Sequence, residues 1–332
     1  MAEQLAKNLW RLTIPLVGNP LKELNSYLII GKRNLLIDTG FRTDSCLEAM
    51  QKQLQEINVD LNTTDIFLTH VHYDHIGLAT TLHRDNCKIY ISTVDGKILS
   101  RVQTDSFWDA RYQSCIENGF TNEETSNLWY SNPAQINGPD PSARYTYLEN
   151  GTHLNYGGLS LECLATPGHT PGHFCLYCAE NKWLFSGDHI LFHISPNICN
   201  WEGVSDSLGD YLTSLKMTRN LPIKKLFPAH RRETGNAIQR IDELLKHHDR
   251  RLATALQIVQ SFPGLTPYQI ASKMQWNIHA KDWKDFPLNQ KFFATGEACS
   301  HLDYLLVRNK IRKEFRNGKY HFYSNQSQNH DT

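Results

Sequence analysis

Six consecutive residues near position 70 contain four side chains that can bind a metal ion. They read His70-Val71-His72-Tyr73-Asp74-His75 and follow an apolar, strand-like run at 66–69. Because His70 and His72 are two residues apart, both can point to the same side of an extended backbone. Imidazole nitrogens combined with a carboxylate suit a borderline metal such as zinc. A histidine-rich surface loop without a metal is the alternative interpretation.

Three later segments also place a His or an Asp beside a Gly or a Pro where a strand-like run ends. They read TPGHTPGH at 166–173, LFSGDH at 184–189 and LFPAH at 226–230. Loops that a rigid scaffold holds at strand ends commonly carry binding and catalytic residues. Together with the cluster near position 70, these segments supply enough ligands for a site with two metal ions.

In this order the motifs resemble those of the metallo-β-lactamase superfamily: His-x-His-x-Asp-His, then Gly-His, Gly-Asp and a final His. The turn Asp38-Thr39-Gly40 matches the fifth element of the pattern, and the similarity spans about residues 8–235. The ligand set is similar to that of the glyoxalase II-like branch, in which every metal ligand is His or Asp. The resemblance implies a layered α/β fold, an αββα sandwich with the metal site along one edge.

The resemblance also assigns metal ligands residue by residue. It implies two groups and a shared carboxylate, with His70, His72 and His169 at one ion, Asp74, His75 and His230 at the other, and Asp188 between them. Two divalent ions about 3.5 Å apart can share a water and lower its pKa towards neutrality. We expect this bridging hydroxide to be the nucleophile. Zinc is the expected metal, with manganese or iron as alternatives, because the set lacks a thiolate that would select zinc.

Some residues beside the ligands are also candidates. Asp74, Asp188 and His173 are the residues that we expect to be catalytic. The resemblance makes His169 the ligand of the doubled Pro-Gly-His and gives His173 a supporting hydrogen bond. A histidine that only packs at the start of a strand is the alternative. Asp38 is expected to support the ligands in the same way, or else to stabilise its own turn.

Hydrophobic periodicity places the motifs on alternating strands and helices. Predicted strands cover 10–14, 26–30, 34–37, 88–91, 145–148, 159–164, 173–178 and 183–186. Predicted helices cover 46–54, a short stretch from 77, 207–217, 234–261 and 289–308. Two groups of strands flanked by helices agree with the sandwich that the resemblance implies.

An insertion rich in aromatic residues, at about 99–144, departs from a minimal version of that fold. Thr121 and Glu124 have the spacing of a capping box, which predicts a helix start, and prolines at 133–141 predict a returning loop. One interpretation is that the insertion forms a lid over the metal cleft. Phe107, Trp108 and Tyr112 would then wall an apolar substrate pocket. Tyr73 is a further candidate for this pocket, as a hydrogen-bond donor to a substrate oxyanion, although a tyrosine that only packs is the preferred interpretation. Packing on the flank of the sandwich, or a dimer contact, is the alternative.

The C-terminal part reads as a separate module. We expect a hydrolase domain at 1–260, a winged-helix-like domain at 262–325 and a flexible tail at 326–332. A helix near 289–308 is followed by a predicted hairpin at 310–323. Residues 262–325 carry ten basic and five acidic side chains, and this excess could bind nucleic-acid phosphates. Packing or dimerisation is the preferred role.

Composition sets the broad class. The 332 residues have a net charge of zero, with 40% hydrophobic and 20% charged side chains, as in an ordinary globular protein. No apolar run is long enough to span a bilayer, and the N-terminus lacks the apolar core of a signal peptide. The cytoplasm is the expected location. The Cys-x-x-Cys at 175–178 reads as part of a buried strand rather than a metal motif.

Three functions remain open. The leading hypothesis is hydrolysis of a small carbonyl substrate, either a thioester, an ester or a lactone, by a metal-bridging hydroxide. The first alternative is a metal-dependent endoribonuclease that contacts RNA through the winged-helix-like tail. The second is a non-catalytic winged-helix regulator whose hydrolase domain senses a ligand. The expected partner is a small-molecule substrate. Nucleic acid is the less favoured alternative, a homodimer is possible, and no membrane partner is expected.

Overall fold

The computed structural model describes residues 1–102, 104–130, 143–232, 234–277 and 280–325. Its strands are β1 Glu3–Ala6, β2 Leu9–Pro15, β3 Glu23–Ile29, β4 Asn34–Ile37, β5 Thr64–Phe67, β6 Ile89–Ser92, β7 Thr146–Leu148, β8 His153–Tyr156, β9 Leu159–Ala165, β10 Phe174–Cys178, β11 Trp183–Gly187, β12 Lys225–Pro228, β13 Ile311–Arg316 and β14 Lys319–Ser324. Its helices are α1 Asp44–Glu56, α2 Tyr73–Ile76, α3 Ala79–Leu82, α4 Thr93–Val102, α5 Asp105–Glu117, α6 Asn122–Tyr130, α7 Ser207–Arg219, α8 Ala237–Ser261, α9 Pro267–Lys273 and α10 Leu288–Val307.

The chain forms two compact units. The sandwich unit comprises Met1–Gln103, Pro133–Pro196 and Ser214–Ile241. The second unit comprises Thr104–Asn132, Asn197–Thr213 and Asp242–Thr332. The domain boundary near residue 261 that the sequence suggested stays a prediction.

Two sheets make up the sandwich unit. Strands β1 to β7 form the first sheet in sequential order, antiparallel from β1 to β4 and parallel from β4 to β7. The second sheet has the order β12-β11-β10-β9-β8, in which only the β11–β12 pair is parallel. Parallel strands end at the same edge of a sheet. The loops that follow β4, β5 and β6 therefore lie at one edge of the first sheet, and those that follow β11 and β12 lie at one edge of the second.

Side chains from both sheets meet in one hydrophobic core. Successive residues of a strand point to opposite faces. For this reason Phe174, Leu176 and Cys178 of β10 join the same cluster as Tyr27 and Ile29 of β3. This arrangement confirms the predicted layered α/β sandwich.

The Cys-x-x-Cys motif lies within β10, all five residues of which are buried. Cys175 and Cys178 are free thiols without solvent exposure. Burial raises the pKa of the Cys175 thiol to about 12. These observations confirm that the motif packs inside the protein.

The second unit joins the aromatic insertion to the C-terminal segment. The hydroxyl of Tyr268 donates to Glu124 at 2.7 Å, and the Tyr268 and Phe120 rings pack edge to face. Thr121 and Glu124 form the predicted capping box, with reciprocal bonds of 3.0 and 3.1 Å to each other's backbone N–H. The packing of these two segments could not be predicted from the sequence, because local patterns do not report contacts between distant parts of a chain.

The C-terminal hairpin is present as predicted. Strands β13 and β14 pair from Ile311 with Ser324 to Arg316 with Lys319. A bridge between Leu265 and Phe322 ties the hairpin to the segment before α9. The assignment of this region as a winged helix stays a prediction.

Most predicted elements agree with the structure to within a few residues, and the exceptions have local causes. Strands β1 and β8 were missed, since half or more of their residues are exposed and break the hydrophobic pattern. The short helix expected from Gly77 is instead two helices, α2 and α3. The predicted loop at 133–141 and the tail at 326–332 lie outside the described residues. None of the described helices is long and apolar enough to cross a bilayer.

Candidate metal centre

The histidines and carboxylates of the motifs lie where parallel strands end. Asp38 follows β4 and His70 follows β5, and these strands are parallel neighbours in the first sheet. In the second sheet, Asp188 follows β11 and His230 follows β12, which are also parallel neighbours. Each strand therefore delivers its polar residue to a shared edge.

The structure brings all seven predicted ligands into one cluster. It contains three groups whose ligand atoms lie within 4.8 Å of one another, namely His70, His72 and His169, then His70, His75 and Asp188, then Asp74, His75 and His230. The first and third groups are the two ligand sets that the sequence resemblance implied. The described residues thus contain His and Asp groups that are able to hold metal ions.

Asp188 lies between the two sets. Its Oδ2 atom is 3.4 Å from Nε2 of His169 in the first set. Its Oδ1 atom is 3.5 Å from Nε2 of His230 and 3.7 Å from Nε2 of His75 in the second set. One carboxylate oxygen consequently faces each set of histidines, the arrangement that a bridging ligand requires.

The remaining contacts are equally close. Asp74 Oδ2 is 3.3 Å from Nε2 of His230 and 3.7 Å from Nε2 of His75. In the other set, His70 Nε2 is 3.0 Å from Nδ1 of His72. The polar atoms of both sets converge on a small volume.

Asp38 orients one of the histidines. Its Oδ2 atom is 2.8 Å from Nδ1 of His75 and also accepts from the hydroxyl of Thr69, while Oδ1 accepts from the Thr69 backbone N–H. Asp38 has a φ of 58°, a left-handed conformation that Asp tolerates in turns. Nδ1 of His230 donates in the same manner to the carbonyl of Glu23 at 2.8 Å. Such bonds fix the ring orientation and leave Nε2 towards the cluster.

His173 is placed beside the ligands and not among them. Its Nε2 atom accepts from the backbone N–H of Asp188 at 3.2 Å, and its Nδ1 atom donates to Thr166 at 2.7 Å. Burial lowers its pKa well below the usual value, which keeps the ring neutral and Nε2 an acceptor. A Cβ at Gly187 would lie 2.6 Å from this Nε2 atom, so glycine is needed for the close approach. The geometry supports a positioning role for His173.

Asp95 is a candidate site residue that sequence analysis missed. Its fully buried carboxylate accepts from the backbone N–H of Val71 at 2.9 Å, from the hydroxyl of Thr170 at 2.7 Å and from the backbone N–H of Gly172 at 2.7 Å. Burial raises its pKa to about 6. One side chain thus ties together the two loops that carry His70, His72 and His169. The signal was a polar residue just after β6, the parallel neighbour of the ligand-bearing strand.

The electrostatics differ between the two sets. Burial, reinforced by neighbouring histidines, lowers the pKa of His70 well below its usual value and that of His72 to about 3. Burial also acts on His75, but Asp38 and Asp74 outweigh it and raise its pKa to about 10. Burial acts to raise the pKa of Asp74, but His75, His230 and His72 together outweigh it and lower the pKa. The carboxylates therefore stabilise positive charge at the centre of the cluster.

The donor set fits divalent metal ions. Nε2 of His75, Nε2 of His230 and Oδ1 of Asp188 are buried and make no hydrogen bond within the described part of the chain. Leaving buried polar atoms unsatisfied is costly, and metal ligation is one way to satisfy them. Imidazole and carboxylate ligands suit zinc, manganese and iron.

The predicted pocket residues fall into both units. Tyr73 starts α2 beside the ligands and is half-buried. Phe107, Trp108 and Tyr112 lie on α5 in the second unit, where Trp108 packs against Phe107 and Trp129, and Tyr112 bonds to Ser126. Their role in substrate binding stays a prediction.

Comparison with known families identifies the class of protein. Residues 23–230 match the metallo-beta-lactamase superfamily, which is well over half of the chain. The chain belongs to this superfamily, whose members are generally hydrolases that bind metal ions. The match covers every candidate ligand.

Similar proteins are found in animals and fungi. The "Beta-lactamase-like protein 2 homolog" of Caenorhabditis elegans is 24% identical over 256 residues, which cover 76% of this chain and 71% of the relative. The "Lactamase-like protein adaB" of Aspergillus niger is 26% identical over 263 residues, covering 78% of this chain and 66% of the relative. The chain thus spans about two thirds of the length of these relatives.

Solved structures extend the likeness beyond the sandwich unit. A metallo-beta-lactamase family protein from Thermus thermophilus has a TM-score of 0.79 and 26% identity, covering 97% of this chain and all of that one. A beta-lactamase domain protein from Burkholderia ambifaria has a TM-score of 0.80 at 21% identity, covering 97% of this chain and 94% of that one. The second likeness concerns the fold alone.

Proposed function

We propose that the protein is a dinuclear-metal hydrolase that acts on a small carbonyl substrate, either a thioester, an ester or a lactone. The observation that carries the proposal is the position of Asp188, whose two oxygens face the two sets of histidines. His70, His72 and His169 would hold one ion, Asp74, His75 and His230 the other, and Asp188 both. Zinc is the proposed metal, with manganese or iron as alternatives.

When bound, two such ions lower the pKa of a shared water and polarise the carbonyl under attack. The chain's own contribution is to fix the ligands. Asp38 and the Glu23 carbonyl hold the rings of His75 and His230 with Nε2 towards the cluster. Nε2 of His173 accepts a hydrogen bond from the backbone N–H of Asp188, and this bond would fix the position of the bridging residue.

The proposal is tested first by metal content. Purified protein is reconstituted with zinc, manganese or iron, dialysed and subjected to elemental analysis. We expect close to two ions per chain, since two complete sets of ligands converge. Less than half an equivalent of each metal would contradict the site assignment without any appeal to activity.

Substrate class is tested by a side-by-side screen. Metal-loaded protein is offered thioesters, esters, lactones and single-stranded RNA, and turnover of a carbonyl substrate is expected. A variant with neutral residues at five cationic positions of the hairpin region separates the alternatives, namely Lys310, Arg312, Lys313, Arg316 and Lys319. It should keep ester or thioester turnover within about twofold, because these cations would matter only for phosphate contacts. RNA cleavage that depends on these cations and disappears in Asp188→Ala would support the endoribonuclease alternative.

A further inference from the structure

A cavity of about 900 Å³ lies in the sandwich unit at the opposite end of the strands from the metal centre. Arg33, one of its lining residues, precedes β4, whereas Asp38 of the metal centre follows the same strand. The cavity runs along β8 and the turn between β3 and β4. We call it the β8 groove and define it by Lys32, Arg33, Tyr90, His153, Asn155 and Tyr156.

The floor of the β8 groove is an ordered polar network. The hydroxyls of Tyr90 and Tyr156 are 3.1 Å apart, and Tyr156 donates to the buried carboxylate of Asp65 at 2.6 Å. Arg33 donates to the same carboxylate through Nε at 2.9 Å and through Nη2 at 2.6 Å. The guanidinium of Arg33 thereby balances the charge of the Asp65 carboxylate, so Asp65 does not repel an anion in the groove.

The walls of the β8 groove are positively charged. Lys32 lines it and is exposed, the charge of Arg33 is balanced by Asp65, and no Asp or Glu occurs among its described lining residues. The ammonium group of Lys88 adds a further cation 5.9 Å from the centre of the Tyr90 ring. The groove is therefore complementary to a negatively charged ligand.

One wall is an open strand edge. Strand β8 is the last strand of its sheet in the described part of the chain, and it pairs only with β9. The hairpin closes at Tyr156 and Leu159, so Tyr156 and Leu154 bond to β9. The same alternation turns the backbone N–H and C=O of Asn155 and His153 away from β9. These groups form a row of donors and acceptors along the groove.

A close contact of two turns fixes the end of the groove. A Cβ at Gly31 would lie 2.8 Å from the backbone nitrogen of Gly157, so only glycine fits there. The side chain of Asn8 also donates to the carbonyl of Gly157 at 3.1 Å. The turn that bears Lys32 and Arg33 is thus held next to the open edge of β8.

We propose that the β8 groove binds an extended acidic peptide, which adds a strand to the edge of β8. The peptide backbone pairs with Asn155 and His153, and its acidic side chains meet Lys32 and Lys88. Strand addition of this kind takes its affinity from main-chain hydrogen bonds and its specificity from the flanking side chains. A small anion would use the cations, but it would leave the strand edge and most of the cavity unused.

The experiment measures fluorescence anisotropy of a labelled probe peptide, acetyl-(Glu-Val)₃-amide, with the full-length protein. Two control peptides accompany it, one with Lys in place of Glu and one with N-methyl groups on alternate backbone nitrogens. Inorganic phosphate serves as a competitor for the cations alone. We expect saturable binding of the acidic probe at concentrations below about 1 mM, and at least tenfold weaker binding of both controls.

Matched variants test the strand edge. Asn155→Pro removes the outward N–H without touching a bond to β9, since Pro is tolerated on edge strands. Asn155→Ala changes the side chain and keeps that N–H. The first should weaken binding at least about fivefold, as expected for a lost hydrogen bond, and the second should stay within about twofold. Lys32→Glu should weaken binding about tenfold, less so at high salt.

Either of two results would overturn the proposal. The first is the absence of probe binding up to about 1 mM. The second is binding that phosphate abolishes but that neither Asn155→Pro nor backbone N-methylation affects, which would indicate a small-anion site only. Should Asn155→Pro fail to fold by circular dichroism, the N-methylated peptide tests the same hydrogen bonds from the ligand side.

Discussion

Buried histidines occur in both units, and the two groups differ in what surrounds them. In the sandwich unit, His75 and His230 face Asp74 and Asp188 within 3.7 Å. In the second unit, His248 and His301 face each other, with Nδ1 and Nε2 of the two rings 3.2 Å apart. His301 completes this pair by donating to the carbonyl of Glu297 at 2.7 Å.

Carboxylates account for the difference in charge. Burial lowers the pKa of His301 to about 3 and that of His248 well below its usual value, so both rings stay neutral. The pKa of His75, equally buried, is raised to about 10 by Asp38 and Asp74. Among the described residues, the groups able to hold a metal ion lie in the sandwich unit. A buried pair of histidines does not make a metal site; convergence of three or more His and Asp side chains does.

Removing the carboxylate of Asp188 should leave the histidines of the sandwich unit, like those of the second unit, unable to hold metal ions. Asp188→Ala deletes the oxygens that face both sets of histidines, so we expect loss of both metal ions. Turnover should fall at least about 100-fold, which is more than the loss of a residue that only supports a ligand causes. Elemental analysis and hydrolase assays measure the two effects. Retention of two ions per chain would show that Asp188 is not the bridge.

His173→Ala should separate positioning from ligation. The variant loses the acceptor for the Asp188 backbone N–H but no side chain of the two sets. We expect metal content to stay near that of the wild type while turnover falls about 10–100-fold. Metal loss equal to that of Asp188→Ala would instead make His173 a ligand.

Asp95→Asn tests whether the bonds from Asp95 to the two ligand-bearing loops stabilise the protein. The amide keeps the shape of the side chain but turns one acceptor into a donor, so a buried N–H or hydroxyl of the ligand loops loses its partner. We expect the free energy of unfolding to fall by about 1–3 kcal/mol. Urea denaturation of the metal-free proteins measures this change. An unchanged midpoint would show that the two loops do not depend on Asp95.

The histidine pair of the second unit should affect acid stability and not metal content. Its rings are neutral when folded and take up protons on unfolding below about pH 6.5, the usual pKa. The free energy of unfolding therefore falls as the pH decreases from 6.5, by about 1.4 kcal/mol per pH unit for each proton.

Replacing both rings, as His248→Leu with His301→Leu, should make this decrease shallower. Nearby His247, Arg251 and Glu297 remain in both proteins and contribute equally. Denaturation between pH 5 and 7.5 measures the slope, and elemental analysis should still find the wild-type metal content. A metal deficit in this variant would contradict the distinction between the two groups.

Much of the fold and of the site follows from local patterns. The cluster at 70–75 carries four of the seven candidate ligands, and the other three stand beside Gly or Pro at strand ends. Apolar runs between turn residues predicted most strands, because several of these strands are buried along their whole length. Strand β8 was missed, since its exposed residues alternate with only two buried ones over a short stretch.

Contacts between distant segments could not be predicted from local patterns. Nothing around Asp95 shows that its carboxylate accepts bonds from loops at 71 and at 170–172. Similarly, local patterns predicted helices in the aromatic insertion but not the bond between its Glu124 and Tyr268 of the C-terminal segment, 144 residues further on. Such pairings depend on chain topology, which a pattern with a period of a few residues does not encode.

The sequence by itself determined the family, the layered fold and the side chains available as ligands. These properties reside in residue types and short spacings, which fix the strand faces and the loops at their ends. The tertiary structure decided that the two oxygens of Asp188 face different sets of histidines and that Asp38 raises the pKa of His75. It also decided that β8 keeps an open edge beside Lys32 and Arg33. The physical reason is that charge, burial and hydrogen bonding depend on distances across the fold, which packing alone sets.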